Sequence, residues 1–176
     1  MAWKLLGKKT VLNTFRSSVE TWRVKMPNNK ERDFFISAGY SFVMVFALDT
    51  KGKAIILKQH YISQQKKLVS LVAGIIDENE TPKNTAQREL LEEAGYKAKK
   101  VISLGKSIRD KYSTGTIYHF LVLDAVKSQE PNLEEAEDIK ISTVAISEIK
   151  KLLDKNKLQD PFAEICALRA LRYLKK

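Results

Sequence analysis

The chain has 176 residues, of which 44% are hydrophobic, and a formal net charge of +10. This length and apolar content predict one globular fold with a substantial core. No apolar run approaches the roughly 20 residues of a membrane span, and the single cysteine, Cys166, excludes an internal disulfide. We therefore expect a soluble, cytoplasmic protein without a membrane partner, in which Cys166 is a packed thiol.

The positive charge has two interpretations, nucleic-acid binding or attraction of a phosphate-rich small ligand. Lysines occur in scattered pairs such as Lys8-Lys9 and Lys66-Lys67. They form no stripe with interleaved aromatic residues, which single-strand binding would require. Most lysines are therefore interpreted as solvated surface, and nucleic acid remains the minority hypothesis.

Residues 1–36 predict a thin N-terminal antiparallel β-hairpin element. Strand patterns cover residues 11–15 and 19–26, and Pro27-Asn28-Asn29 is a strong turn signal before a returning strand over 32–36. Such a small element does not hold a core alone. Its aromatic residues are Trp3, Phe15, Trp22, Phe34 and Phe35. Because that aromatic area should not stay in water, we expect the element to form a homodimer interface.

Residues 37–176 predict the main domain. Strands are expected over 40–48, 54–59, 68–72, 99–104, 117–126 and 139–144, and helices over 82–94, from Ser147 to 155, and from 161 to 174. Residues 40–48 form a nearly continuous apolar run, typical of a strand buried on both faces. Thr81 followed by Pro82 suits a helix start, and Gly95 suits its end. The polar loop over 109–115 is a candidate substrate lid.

The helix over 82–94 carries the most specific pattern in the chain. Glu89, Glu92 and Glu93 crowd one helical face, whereas a separate stripe of Ala86, Leu90 and Ala94 can pack inward. Crowded carboxylates repel one another unless a cation lies between them. Hard oxygen ligands of this kind suit Mg²⁺. The plainer alternative, a solvated acidic face, would explain any two of these glutamates but not the whole spacing.

That spacing, G-x5-E-x7-R-E-L-L-E-E-A-G-Y from Gly74 to Tyr96, resembles the box of the Nudix hydrolase family. The resemblance implies an α/β fold, the Nudix α/β/α sandwich with a mixed sheet, which binds Mg²⁺ or Mn²⁺. It also implies hydrolysis of a nucleoside diphosphate linked to another moiety. The N-terminal hairpin and the segment LVAGIIDENE are similar to the ADP-ribose and nucleoside-diphosphate-sugar pyrophosphatase branch, which implies a strand-exchanged homodimer.

The resemblance also implies roles for individual residues. The implied metal ligands are the Ala73 carbonyl, Glu89, Glu92 and Glu93. Arg88 can orient Glu92 across one helical turn, although a surface i,i+4 pair is the alternative. The general base is expected in the later acidic loop. Glu135 is the first choice, with Glu137 as an extra metal ligand, or with the two roles exchanged.

Substrate contacts are assigned to the hairpin and to the polar loop. Arg32-Asp33 matches an Arg-Glu pair that the branch uses near the nucleotide. Trp22 and Tyr112 are candidate stacking rings, with core packing as the alternative. Arg109 can hold a phosphate or simply be exposed. His60 and His119 lack metal-ligand spacing and are interpreted as structural.

Three departures from the branch pattern bear on the substrate. Ser70 stands where the branch often has glutamate, Tyr61 where it often has arginine, and a proline often found about sixteen residues beyond the box is absent. They leave pyrophosphate hydrolysis intact but leave the sugar open, ADP-ribose-like or GDP-mannose-like. The alternatives are RNA 5′ ends, free or dinucleoside polyphosphates, and a non-catalytic Nudix sensor. The complete carboxylate set argues against a sensor.

Overall fold

The computed structural model describes residues 2–14, 17–133 and 138–175. The chain divides into two compact units. The first comprises Met1–Ser41 and Ser107–Ile117, and the second comprises Phe42–Lys106 and Tyr118–Lys176. The sequence-based division at residue 36 stays a prediction.

The first unit contains a three-stranded antiparallel sheet rather than a hairpin alone. Its strands are β1 (Lys4–Thr14), β2 (Ser17–Lys25) and β3 (Glu31–Ser37), in the order β1-β2-β3. The predicted turn lies between β2 and β3, where Asn29 adopts a φ of 63°. The first strand begins at Lys4, well before the predicted residue 11, because pairing with β2 extends it through a lysine-rich segment.

The second sheet has eight strands within the described residues. They are β4 (Phe42–Asp49), β5 (Ala54–Tyr61), β6 (Lys66–Ser70), β7 (Val72–Ile75), β8 (Tyr96–Lys97), β9 (Lys100–Ile108), β10 (Thr116–Lys127) and β11 (Ile139–Val144). The central order is β11-β5-β4-β10-β8, with β6 paired to β5, β7 to β4, and β9 to β10. The two-residue strand β8 and a single 3₁₀ turn after β5 (Ile62–Gln64) were not predicted.

Three helices complete the described fold: α1 (Pro82–Ala94), α2 (Ile146–Asp154) and α3 (Pro161–Leu174). The prediction for α1 is confirmed, because the Thr81 hydroxyl accepts a hydrogen bond from the Asn84 N–H and Gly95 ends the helix with a φ of 75°. The prediction that Ser147 caps α2 is wrong. The cap is Ala145, whose carbonyl accepts the first helical hydrogen bonds, so Ser147 lies inside the first turn.

Helices cover both faces of β4. The predicted apolar stripe of α1 is fully buried and packs with Val43 and Val45. The alternate residues Met44 and Phe46 point to the opposite face, and α3 packs on β4 as well. These features confirm the Nudix-type α/β/α sandwich with a mixed sheet.

Cys166 of α3 is fully buried, and burial raises the pKa of its thiol to about 12. The expectation of a packed thiol is therefore confirmed. No helix in the described parts of the chain combines the length and apolar character needed to cross a membrane. The cytoplasmic location stays a prediction.

Candidate active site

The candidate site forms where α1 packs against β7. Strand β7 pairs with β4 in a register that sets Gly74 opposite Val43. The Glu89 carboxylate occupies the space that a Cβ atom on Gly74 would fill. Glycine at this position therefore allows Glu89 to reach the backbone of the strand.

Arg88 is the hub of the site. Its Nη1 donates to Glu89 Oε1 at 2.7 Å and to Glu92 Oε2 at 2.9 Å. Its Nη2 donates to the Ile75 carbonyl at 3.1 Å and to Glu80 Oε2 at 3.0 Å. One guanidinium thus fixes three carboxylates of the helix and its preceding loop to the end of β7.

Arg88 and Glu80 stabilise each other's ionised form. Hydrogen bonding from Arg88 is the main reason that the pKa of Glu80 lies below its usual range, and the same contact raises the pKa of Arg88. The buried hydroxyl of Thr85 also donates to Glu80, at 2.8 Å. Arg88 therefore remains a fixed cation at neutral pH.

Glu93 has a different environment from Glu89 and Glu92. It is only 5% exposed, and its Oε2 accepts a hydrogen bond from the Ala73 N–H at 3.0 Å. Burying a carboxylate is costly unless it is well partnered. The Glu93 carboxylate is thus held at Ala73, the residue of β7 whose carbonyl is a predicted metal ligand.

The predicted metal ligands are Glu89, Glu92, Glu93 and the Ala73 carbonyl. In the described residues, no group of three or more His, Cys, Asp or Glu side chains is arranged to hold a metal ion. Arg88 Nη1 contacts both Glu89 and Glu92. The carboxylate and carbonyl oxygens nevertheless have the chemistry that Mg²⁺ or Mn²⁺ prefers, and the Glu89 carboxylate lies against Gly74, the residue after Ala73. The donor types therefore fit such a cation, whereas the described side chains do not form a ligand cluster, so the ligand set stays a prediction.

Two predicted catalytic residues, Glu135 and Glu137, lie outside the described residues. The sequence interpretation also assigned no contacts to Glu80 and missed Thr85 and the Ile75 carbonyl. A signal for Thr85 was present, since it follows the helix-capping Thr81 by one turn, but its hydrogen bond to Glu80 depends on how the preceding loop folds back.

Two predicted substrate residues meet on Phe34 in the first unit. The Phe34 ring stacks on Tyr112 at 6.1 Å between centroids, with 21° between the planes. The Arg32 guanidinium lies 5.8 Å from the same ring. The loop bearing Tyr112 is tied to the end of β3, because the Ser37 N–H donates to the Tyr112 carbonyl at 2.8 Å. Its role as a lid stays a prediction.

The other predicted substrate residues have separate surroundings. Trp22 pairs with Phe34 in register and so shares its face of the sheet. Its indole N–H donates to Glu20 at 2.6 Å, and Lys8 lies 4.2 Å from the ring. Asp33 points to the opposite face, where it pairs with Arg23 at 3.1 Å. Arg109 lies against Gly39. Their roles in substrate binding stay predictions.

Comparisons with known proteins agree with this geometry. The family model described as NUDIX domain matches residues 40–165. The ADP-ribose pyrophosphatase of Bacillus subtilis (strain 168) is 29% identical over 139 residues, covering 78% of this chain and 75% of the relative. The methanol dehydrogenase activator of Bacillus methanolicus is 25% identical over 139 residues, with the same coverage.

A solved structure described as an ADP compounds hydrolase superposes with a TM-score of 0.86 at 18% sequence identity, covering 99% of this chain and 95% of that one. This likeness shows a shared fold. The NUDIX domain model, in contrast, matches more than half of the chain and includes the whole of the site around Arg88. The chain therefore belongs to the NUDIX domain family and is a Nudix hydrolase.

Proposed function

We propose that this protein is a metal-dependent pyrophosphohydrolase that cleaves a nucleoside-diphosphate sugar into a nucleoside monophosphate and a sugar phosphate. The observation that carries the proposal is the Arg88 hub, which holds Glu80, Glu89 and Glu92 against β7. The names of two similar proteins, an ADP-ribose pyrophosphatase and an ADP compounds hydrolase, support a nucleoside-diphosphate substrate.

The proposed chemistry follows from the charge of the substrate. A diphosphate resists water because its anionic oxygens repel a nucleophile. The proposed ligands of Mg²⁺ or Mn²⁺ are Ala73, Glu89, Glu92 and Glu93. When bound, the cation offsets phosphate charge and lowers the pKa of a bound water. Arg88 orients Glu89 and Glu92 and stays cationic, while the Ala73 N–H holds Glu93.

The proposed general base is Glu135, with Glu137 as its neighbour in an additional ligand role. Both precede β11, which pairs with β5 through Ile139 and Gln59. A base must come within hydrogen-bond reach of the attacking water. The acidic segment before β11 supplies carboxylates for that task, and the exchange of the two roles is the alternative.

We further propose a homodimer built through the N-terminal sheet. Strand β1 is exposed along all 11 residues and lies at the edge of its sheet. Trp3, Val11, Leu12 and Phe35 are each more than half exposed. A long edge strand with exposed apolar side chains favours pairing with another chain. The proposal includes contributions from Arg32 and Asp33 to the active site of the dimer.

The function is tested by incubating the protein with Mg²⁺ or Mn²⁺ and a substrate panel. The panel contains ADP-ribose, GDP-mannose, UDP-glucose, dinucleoside polyphosphates and triphosphorylated RNA. Released nucleotides are measured chromatographically, and pyrophosphate and phosphate are measured for the RNA. We expect hydrolysis of nucleoside-diphosphate sugars that stops when a chelator removes the metal. Turnover confined to RNA or polyphosphates, or no turnover at all, would contradict the proposal.

A further inference from the structure

A cleft of about 490 Å³ opens at the start of α3 in the second unit. Its walls include the side chains of Tyr61, Gln64, Lys66, Leu68, Gln159 and Phe162. A volume of several hundred Å³ is typical of sites for small ligands. The cleft contains none of the charged residues already assigned to the candidate active site.

Asp160 fixes one wall of this cleft. Its Oδ1 accepts hydrogen bonds from the Phe162 and Ala163 N–H groups at 2.9 and 3.2 Å. Its Oδ2 accepts from the hydroxyls of Tyr61 and Ser70 at 2.7 and 3.3 Å. With two donors on each oxygen, the carboxylate is satisfied by the protein itself. Asp160 therefore positions the wall and is not the group that a ligand would contact.

Tyr61 is locked in the same network. Burial is the main cause that raises the pKa of its hydroxyl to about 12, so the group stays protonated and continues to donate to Asp160. Tyr61 and Ser70 are also two positions at which the sequence departs from the related branch. The structure joins these two departures through one carboxylate, although each lies at least 90 residues from Asp160.

The polar groups at the cleft surface suit an uncharged ligand with many hydroxyls. Gln64, Lys66 and Gln159 are exposed there, and Lys66 Nζ lies 3.4 Å from Gln159 Oε1. Glutamine amides both donate and accept hydrogen bonds, as sugar hydroxyls do. The side chains of Leu68 and Phe162 provide apolar surface for the C–H face of a sugar ring. The N–H groups of Phe162 and Ala163, which could otherwise bind a phosphate at this helix start, already donate to Asp160, so an anionic ligand is less well matched.

The cleft is connected to the candidate active site by two routes. Ser70 precedes Ala73 by three residues, which span at most about 11 Å. The Phe162 ring contacts Phe42 edge-on at 5.6 Å, and Phe42 pairs with Ile75, whose carbonyl accepts from Arg88. Phe42 and Ile75 therefore link a wall of this cleft to the Arg88 hub.

We propose that this cleft binds the sugar of the nucleoside-diphosphate sugar and determines which sugar is accepted, with Gln64 and Gln159 hydrogen-bonding to the sugar hydroxyls. This inference rests on the proposed function and adds a specificity site to it. Tyr61 acts as a positioning residue, because it holds the wall through Asp160.

The test uses Gln64→Ala and Gln159→Ala, with Gln129→Ala, an exposed glutamine outside the cleft, as the matched control. One substrate series keeps adenine and varies the sugar, and another keeps glucose and varies the base. Each cleft variant should lower kcat/KM by about threefold to tenfold for the preferred sugar, as expected for one lost hydrogen bond. The ranking of sugars should change, while the ranking of bases should not.

A changed ranking of bases would assign the cleft to the nucleobase and overturn the proposal. Equal effects on all substrates, or none, would overturn it too. Calorimetry with non-hydrolysable α,β-methylene analogues of ADP-ribose and ADP-glucose gives an independent readout. If the wild-type protein hydrolyses no nucleotide sugar, the proposed function fails, and sugar-dependent weakening of analogue binding in the cleft variants still decides the role of the cleft.

Discussion

The helix α1 and the N-terminal sheet differ in how far their apolar side chains are buried. On α1, Ala86, Leu90 and Ala94 are fully buried, and Arg88 contacts four acidic side chains within 4 Å. On the sheet, β1 is exposed throughout, and Phe35 is 70% exposed. The α1 contacts are completed within one chain, whereas the apolar surface of the sheet lacks cover from the described residues of its own chain.

This difference separates chemistry from assembly. The α1 region holds preorganised charge, which is the form that electrostatic catalysis requires. The sheet presents an exposed edge strand and exposed apolar side chains, which favour association with another chain. Changes in α1 should therefore act on turnover directly, whereas changes in the sheet should act on association and, through the dimer, on the contributions of Arg32 and Asp33.

The largest expected effect is the loss of turnover when the proposed base is replaced. This residue, Glu135, is not part of α1, so the experiment tests whether the catalytic region includes more than that helix. Glu135→Gln should lower kcat by about 10²–10⁴-fold while metal affinity is retained, because a base acts on the water and not on the cation. Turnover and metal titration are measured on the same preparation. If Glu135→Gln weakens metal binding and Glu137→Gln shows the base-like profile, the two roles are exchanged.

Glu93→Gln tests whether charge on α1, rather than shape, supports turnover. The amide oxygen can still accept from the Ala73 N–H, so the fold should persist, as circular dichroism would show. Losing the buried charge should lower kcat by about 10²–10³-fold. Glu148→Gln, a change in a half-exposed side chain of α2, is the control. Unchanged turnover of Glu93→Gln in saturating Mg²⁺ would disprove the assignment of Glu93 as a ligand.

Phe35→Lys tests the assembly side of the comparison. A large aromatic side chain at the centre of an interface contributes about 2 kcal/mol or more, so the dimer dissociation constant should rise roughly 30-fold. Light scattering across a dilution series measures it. Leu168→Lys, at a 51% exposed position on α3, is the matched control. A wild-type protein that is monomeric with normal turnover would rule out the dimer.

Gly74→Ala probes how closely α1 must approach β7. The new Cβ would displace the flexible Glu89 side chain from its cradle, so the cost in Tm should be small. Misplacing a catalytic group should still lower kcat by about tenfold to 10²-fold. Gly7→Ala in β1 is the control, because a Cβ added there would have no described atom within 4 Å beyond its chain neighbours. Equal kcat in Gly74→Ala and wild type would show that the cradle is dispensable.

The smallest effect concerns the buried interior of the second unit. His119 is fully buried, and burial, followed by the charge of Arg169, lowers its pKa from 6.5 to about 4. Between these values the unfolded chain binds a proton that the folded chain does not, so the free energy of unfolding should fall as pH drops from 6.5 to 4. Above pH 6.5 this contribution is fully present.

The measurement is Tm against pH, where we expect a loss on the order of several degrees. His119→Gln should flatten this slope, whatever its effect on Tm at neutral pH. His60→Gln, at an exposed position, is the control and should leave the slope unchanged. An identical slope in His119→Gln and wild type would contradict the role of His119.

The sequence by itself determined α1 and most of what it carries. Its apolar stripe, its cap at Thr81 and its end at Gly95 are local features, so the helix and the shared face of Glu89, Glu92 and Glu93 follow from 3.6-residue periodicity. The strands of the second sheet were likewise visible from their apolar runs. The local sequence wrongly indicated Ser147 as the cap of α2. The Ala145 carbonyl accepts the hydrogen bonds of the first turn, and no side-chain cap is needed.

Only the tertiary structure decided which distant residues meet. The start of β1 at Lys4 depends on pairing with β2, and the contact of Arg88 with the Ile75 carbonyl depends on how β7 enters α1. Tyr61 and Ser70 both donate to Asp160, which lies at least 90 residues further along the chain. No periodic pattern in the sequence indicates these contacts, because long-range hydrogen bonds depend on the path of the folded chain and not on the spacing of its residues.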